Sequence, residues 1–250
     1  MKRIGKLLVI PDAHAHPDYD NGRFDALGKF IADEAPDVIV SLGDWADMPS
    51  LGHYDKGKRK AEGRRYTRDV EVTQDSLARL RSSGRAAYVR AKKFIVLGNH
   101  EARIDRATNE DPELHGAIST RDLGFEDAGW DVTPYQEVLS LAGWSFSHHF
   151  AAGVGGRPAS TTNAMLKATH CSAIAGHKHT LEHGLTTRPD RTRIHSIIGG
   201  CFTHHRAKED WNRGSEHLSW NGVLVLHDVA DGDCGEMRMV TQARLRRAYG

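Results

Sequence analysis

Aspartate, histidine and asparagine recur in this 250-residue chain at the points where short apolar runs stop. The stretches are Asp12-x-His14, Gly43-Asp44-x-x-Asp47, Gly98-Asn99-His100-Glu101, His148 in "SFSHHF", and Gly176-His177-x-His179. Any one of them is commonplace. An Asp-x-His arises by chance, and a Gly-Asp marks a turn. As an ordered set they offer imidazole nitrogens mixed with carboxylate and amide oxygens, a donor mixture suited to borderline divalent ions such as manganese, iron or zinc. Two such ions about 3.5–4 Å apart can clamp the attacking and leaving oxygens of an in-line displacement. That pair needs a carboxylate with two free oxygens between them, a role that falls to Asp44. Glycines at 43, 98 and 176 are expected to let the backbone turn sharply without a Cβ penalty. In Gly-His-x-His, residues two apart on an extended chain would face the same side.

Side chains of this kind need rigid elements to place them, and loops at strand ends are the usual position. Lys6–Ile10 reads as a buried strand. Residues 23–35 have the spacing of an amphipathic helix with Phe24, Leu27, Phe30 and Ile31 on one face, closed by Pro36. "DVIVSL" is a second strand. A helix is expected over Asp69–Arg81, with Gly84 beyond its end, before the strand "KKFIVLG". This alternation predicts a parallel sheet covered by helices. Residues 101–129 read as mostly helical. Thereafter "EVLSLAG", "WSFSHHF", "SAIAG", "HGLTTR", "RIHSIIGG" and "GVLVLHDV" are short strand candidates, interrupted by one helix at Thr161–His170. The tail "TQARLRRAYG" is a final helical turn or a frayed end.

The composition is globular: 39% hydrophobic, 27% charged, formal net charge +1. No segment reaches the ~18 apolar residues of a membrane span, and the apolar run at the N-terminus stops at Ile10, so it reads as a strand and not a signal peptide. The 3 cysteines (Cys171, Cys201 and Cys234) are too scattered for a disulfide framework or a CxxC zinc site. A cytoplasmic protein without a membrane or obligate protein partner is the expectation. Sixteen histidines is a heavy load, with pairs at His14/His16, His148/His149, His177/His179 and His204/His205. Charge is uneven as well. Residues 53–93 hold 13 Lys or Arg against 5 acids, a balance of +8, leaving 21 against 28, or −7, elsewhere. Part of this segment, about 52–68, is polar and glycine-containing and reads as a basic loop or insertion in a single domain spanning 1–250.

With its motifs in the order DxH, GDxxD, GNHE, isolated His and GHxH over residues 12–179, the chain resembles the calcineurin-like metallophosphoesterase superfamily, and among its members the small phage or bacterial type. That resemblance implies an α/β fold, a four-layer α/β/β/α sandwich with two facing mixed sheets and the metals at a rim of strand ends. It implies a hydrolase acting on phosphomonoesters or phosphodiesters through two divalent cations, manganese first, with iron, zinc or nickel as alternatives. Asp12, His14 and His179 would hold one cation and Asn99, His148 and His177 the other, with Asp44 bridging. His100 would be the general acid, oriented by Asp47, and water activated between the cations would be the nucleophile.

Three departures qualify the likeness. Met48-Pro49 follow GDxxD where many protein phosphatases of the superfamily have Arg-Gly, which argues against a phosphoprotein substrate and leaves Arg103, or a basic residue of the insertion, as the replacement phosphate contact. "SHHF" offers His149 beside His148, the first histidine at the strand end. His16 is an additional histidine near the first cation. The basic segment points to a nucleotide or nucleic-acid substrate. An alternative is a non-catalytic, metal-stabilised module that binds nucleic acid through residues 53–93. A His-x-His metallohydrolase barrel would need eight βα units, which the strand-rich second half does not supply.

Overall fold

Every second residue of the first strand faces the same way, and in β1 (Arg3–Ile10) both faces are apolar toward the strand's end. Leu7 and Val9 enter one core, Leu8 and Ile10 another. A strand buried on both faces must lie in a covered sheet. The computed structural model, which describes residues 2–207 and 216–250, places it in the middle of a six-stranded mixed sheet. The order there is β11 (Glu236–Thr241), β10 (Gly222–Ala230), β1, β2 (Val38–Ser41), β3 (Lys92–Val96) and β4 (Asp131–Thr133). β1 to β4 run parallel, while β10 and β11 are antiparallel to their neighbours. A second mixed sheet has the order β5 (Leu139–Leu141), β6 (Trp144–Ser147), β7 (Ser172–Ala175), β9 (Arg193–Gly199) and β8 (Leu181–Thr187). Within it, β6, β7 and β9 are parallel.

Three apolar layers hold these sheets and their helices together. Leu7, Val9, Val40 and Leu42 of the first sheet meet Trp144, Phe146, Ile174 and Ile197 of the second. On the first sheet's outer face, Leu8, Ile10 and Ile39 pack under α1 (Gly22–Glu34), α2 (Tyr66–Arg90) and α5 (Gln242–Tyr249) through Phe24, Leu27, Leu80 and Leu245. Beyond the second sheet, Met165 of α4 (Thr162–Thr169) packs on Ala173 and Ala175. The result is the expected α/β/β/α sandwich. The parallel strands β1, β2 and β3 of one sheet and β6 and β7 of the other all point their C-terminal ends at one rim.

Several sequence expectations need correction. Gly84 does not lie beyond the second helix. α2 continues to Arg90, with a break at Arg85 (φ 50°), because Gly84 is buried where α2 crosses α1 at Gly28. Residues 101–129 are not mostly helical. α3 (Ala102–Glu110) is followed only by short 3-10 turns at Pro112–Leu114 and Thr120–Leu123, since Pro112, Gly116 and Gly124 interrupt the helical spacing. β4 and β11 were not foreseen, one being very short and the other interrupted by charge. The tail forms a packed helix, α5, with Leu245 buried and Tyr249 Oη donating to Asp33. Residues 52–68 carry short turns at His53–Asp55 and Arg59–Ala61 and then enter α2.

The helix crossing is tight enough to test. A Cβ added at Gly28 would lie 2.6 Å from Ser83 Cβ and 2.9 Å from the Leu80 carbonyl oxygen. Gly28→Ala should therefore destabilise the fold by about 1–3 kcal/mol, although alanine is the better helix former by ~1 kcal/mol. Urea denaturation checks this, and a midpoint equal to or above wild type would contradict the close approach.

Candidate metal centre

The rim loops are fastened to one another before any ion is considered. His14 N donates to the Asp44 carbonyl (2.8 Å) and Asp47 N to the Ala15 carbonyl (3.1 Å), which ties the loop after β1 to the loop after β2. Gly176 N donates to the His148 carbonyl (3.0 Å), joining the loops after β7 and β6. His14, Asp44, His177 and His179 all adopt left-handed backbone, with φ between 46° and 69°. Such conformations are costly outside glycine and gather at functional sites. His177 and His179 are thus not on an extended chain, and their imidazoles diverge toward different groups. The glycines also have two separate roles. Gly43 has φ +88°, a true turn. At Gly98 and Gly176 the requirement is room, because a Cβ there would lie 2.1 Å from Oδ1 of Asp44 and of Asp12 respectively.

Two groups of donors converge. In the first, Nε2 of His179 lies 3.2 Å from Nε2 of His14 and 3.3 Å from Oδ2 of Asp12. In the second, Oδ1 of Asn99 is 2.9 Å from both His148 Nε2 and His177 Nδ1, and those two nitrogens are 3.2 Å apart. Between the groups stands Asp44. Its Oδ2 is 3.3 Å from His148 Nε2 and 3.9 Å from His14 Nε2, and its Oδ1 accepts from His100 N (2.8 Å).

The chemistry of these contacts fits a cation. His14 Nδ1 donates to Asp47 Oδ1 (2.8 Å) and His148 Nδ1 to the Leu42 carbonyl (2.9 Å), which turns Nε2 of each ring inward. There they meet carboxylate and amide oxygens, which carry lone pairs. Asp12 Oδ1 is buried and has no hydrogen-bond partner among the described residues, an expensive state for a carboxylate oxygen unless something positive approaches it. Without metal, protons fill part of this role. Burial works against charge on His148, yet the Asp44 carboxylate, with Asp12 and the Leu42 carbonyl, pushes its pKa up to about 10. Burial likewise disfavours the Asp44 carboxylate, but His148, His100 and His14 hold its pKa well below the ordinary range.

His100 stands beside these groups. Its Nδ1 is 2.8 Å from Asp47 Oδ1 and 2.7 Å from the Asp47 carbonyl, and its Nε2 is 3.9 Å from Asp44 Oδ2. Burial and Arg103 oppose charge on the ring; Asp44 and Asp47 favour it and prevail, raising its pKa to about 9. Asp47 touches more than the sequence suggests, since its Oδ1 serves both His14 and His100 and its Oδ2 is 3.4 Å from His16 Nε2. Arg103 donates from Nη1 to the carbonyls of Asp47 (2.8 Å) and Met48 (3.2 Å), with Nη2 3.0 Å from His100 Nε2. His149 packs against the rings of His177 and Tyr135, and burial with the neighbouring histidines pushes its pKa down to about 4.

Two residues escaped the sequence reading. Glu101 is fully buried, and its carboxylate accepts from the backbone N–H of Asp44 (3.0 Å), Ala46 (2.8 Å) and Gly98 (2.8 Å), clamping two ligand loops. The signal was present, as the last letter of GNHE. Arg23, buried in α1, donates to the carbonyls of Ala13, His14, Asp20 and Phe202. Nothing in "NGRFDAL" distinguishes it from a surface arginine.

The family model described as calcineurin-like phosphoesterase matches residues 5–181. A Gene 54 protein of Mycobacterium phage L5 is 30% identical over 183 residues, covering 70% of this chain and 69% of that protein. Its namesake in Mycobacterium phage D29 is 29% identical over 183 residues, with the same coverage. One solved structure aligns over 95% of this chain and 100% of its own, at a TM-score of 0.47 and 12% identity.

The proton-filled cluster makes a pH prediction. Folded-state pKa values near 10 for His148 and 9 for His100 exceed the ordinary 6.5, so the stability they contribute is complete below about pH 6.5 and lost as pH rises through 9–10. Metal-stripped protein should lose Tm steadily from pH 6.5 to 9, and more steeply than metal-loaded protein if a cation takes the place of the proton on His148. Parallel Tm–pH curves for the two forms would contradict this reading.

Proposed function

The chain belongs to the calcineurin-like phosphoesterase family, and from that membership we propose that it hydrolyses phosphoesters at a two-cation centre bridged by Asp44, acting on a nucleotide or nucleic-acid substrate. The observation that carries this reading is the position of Asp44 Oδ2, which faces His148 on one side and His14 on the other. Asp12, His14 and His179 would hold one cation, Asn99, His148 and His177 the other, with manganese the first choice and iron, zinc or nickel the alternatives. Two cations there would supply positive charge to the phosphoryl oxygens and activate water.

The remaining roles belong to the chain itself. His100 is anchored through Nδ1 to Asp47, leaving Nε2 to carry the proton a leaving oxygen needs. An acid must also be stable once that proton has gone. Arg103 Nη2, 3.0 Å from Nε2, can donate to the neutral ring, so the same arginine that borders the substrate space receives the spent acid. Asp47 orients both His100 and His14, coupling the acid to a ligand through one carboxylate oxygen. Among the described residues no helix is long and apolar enough to cross a membrane.

Metal-stripped protein should hydrolyse bis-p-nitrophenyl phosphate or p-nitrophenyl phosphate only when a divalent ion is restored, and Asp44→Asn should abolish turnover with every ion. His100→Ala should retain bound metal but lower turnover by about 10²–10⁴-fold on esters with poor leaving groups, and by much less on nitrophenyl esters. Equal losses on both kinds of ester would remove His100 from proton transfer. Turnover in Asp44→Asn would remove the bridge.

A further inference from the structure

Beside the cluster lies a groove of about 990 Å³, much larger than a phosphoryl group requires. Asp47, Asn99, His100 and Arg103 form its floor, so the groove opens directly onto the candidate centre. One wall is the segment from Gly52 to Arg64, part of the basic stretch for which the centre itself has no use. That wall is held in place. Asp55 binds Arg64 (2.6 Å) and Lys60 (2.5 Å), Arg64 donates to the Pro49 carbonyl (3.1 Å), and His53 reaches Glu110 of α3 (3.6 Å).

Once those pairs are counted, and apart from Arg103, which is spent on the Asp47 and Met48 carbonyls and on His100, two cations facing the groove, Lys58 and Arg106, make no ion pair among the described residues, and both are exposed. Lys58 is on the wall and Arg106 on α3, and the wall also carries Tyr54, 85% exposed. Its only ring neighbour among the described residues is His53, edge-on at 5.9 Å, so most of the phenol ring is open to solvent at the groove. Of the groove's other carboxylates, Glu110 faces His53 and Asp18 lies 3.8 Å from His16. An exposed aromatic ring and two exposed cations that line one groove with the candidate centre match a chain of alternating bases and phosphates. Stacking also requires an unpaired base, because a duplex hides its base faces.

We propose that this groove seats single-stranded nucleic acid. The scissile phosphodiester lies over the Asp44 cluster, two neighbouring phosphates meet Lys58 and Arg106, one each, and a base stacks on Tyr54. The proposal rests on the phosphoesterase reading and narrows it from nucleotide or nucleic acid to an oligonucleotide strand.

The test compares manganese-loaded wild type, Tyr54→Ala and the double variant Lys58→Ala/Arg106→Ala on oligothymidylate and on bis-p-nitrophenyl phosphate, with fluorescence anisotropy of labelled oligothymidylate as a binding readout. These substitutions are at exposed positions. Each variant should lower the oligonucleotide-to-nitrophenyl ratio of kcat/KM by about tenfold. The double variant should also flatten the log–log salt dependence of binding by about 1.4, the slope due to two phosphate contacts on a single strand. Ratio and salt slope unmoved in both variants, or cleavage of the nitrophenyl diester with none of oligothymidylate, would overturn the proposal while sparing the phosphoesterase reading. Inactivity on both substrates would overturn the phosphoesterase reading, and anisotropy would then decide the groove separately: variant-sensitive binding keeps it, variant-insensitive binding removes it.

Discussion

Electron pairs that face one another across about 3 Å, with too few protons between them, are the constraint around which this molecule is built. Imidazole nitrogens, an amide oxygen and two buried aspartates converge at the rim of the two sheets, and one oxygen of Asp12 has no hydrogen-bond partner among the described residues. In an apolar interior such an assembly repels itself unless positive charge is supplied. The raised pKa of His148 and the depressed pKa of Asp44 are the metal-free form of that demand. Divalent cations would meet it more completely than protons can.

Holding the donors in so unfavourable an arrangement requires a stiff frame, and the layers of the fold supply one. Parallel strands from both sheets deliver their ends to the same edge, and the apolar layer between the sheets fixes the distance across it. Buried charged side chains then lock the loops: Glu101 gathers three backbone N–H groups, Arg23 four carbonyls, and Asp47 two imidazoles. The left-handed backbone at His14, Asp44, His177 and His179 is tolerated because these clamps over-determine it. Gly98 and Gly176 provide the space that lets carboxylate oxygens approach the neighbouring strand end.

Much of this was legible in the sequence. Strands β1, β2, β3, β6 and β7 could be read because apolar runs stop at polar residues, and the order of those residues named the candidate donors. What remained hidden depends on tertiary contact. Gly84 resembles a helix terminator until α1 is seen crossing it. The 101–129 segment has helical composition but is interrupted by turns. Arg23 has no local sign of burial, and Glu101 carried a motif letter without a visible task. The second role of Asp47 could not be inferred from spacing, since His14 and Asp47 meet only when the loops after β1 and β2 pair. The basic segment was evident as charge, but its relation to the centre emerges only with the groove.

Titrating metal-stripped protein with Mn²⁺ while recording electron paramagnetic resonance tests the central claim most directly. Two equivalents should bind per chain, with the second ion broadening and diminishing the signal of the first through exchange across the shared Asp44 carboxylate, and Asp44→Asn should abolish that coupling. A single magnetically isolated ion per chain, or two that remain uncoupled, would contradict a centre bridged by Asp44.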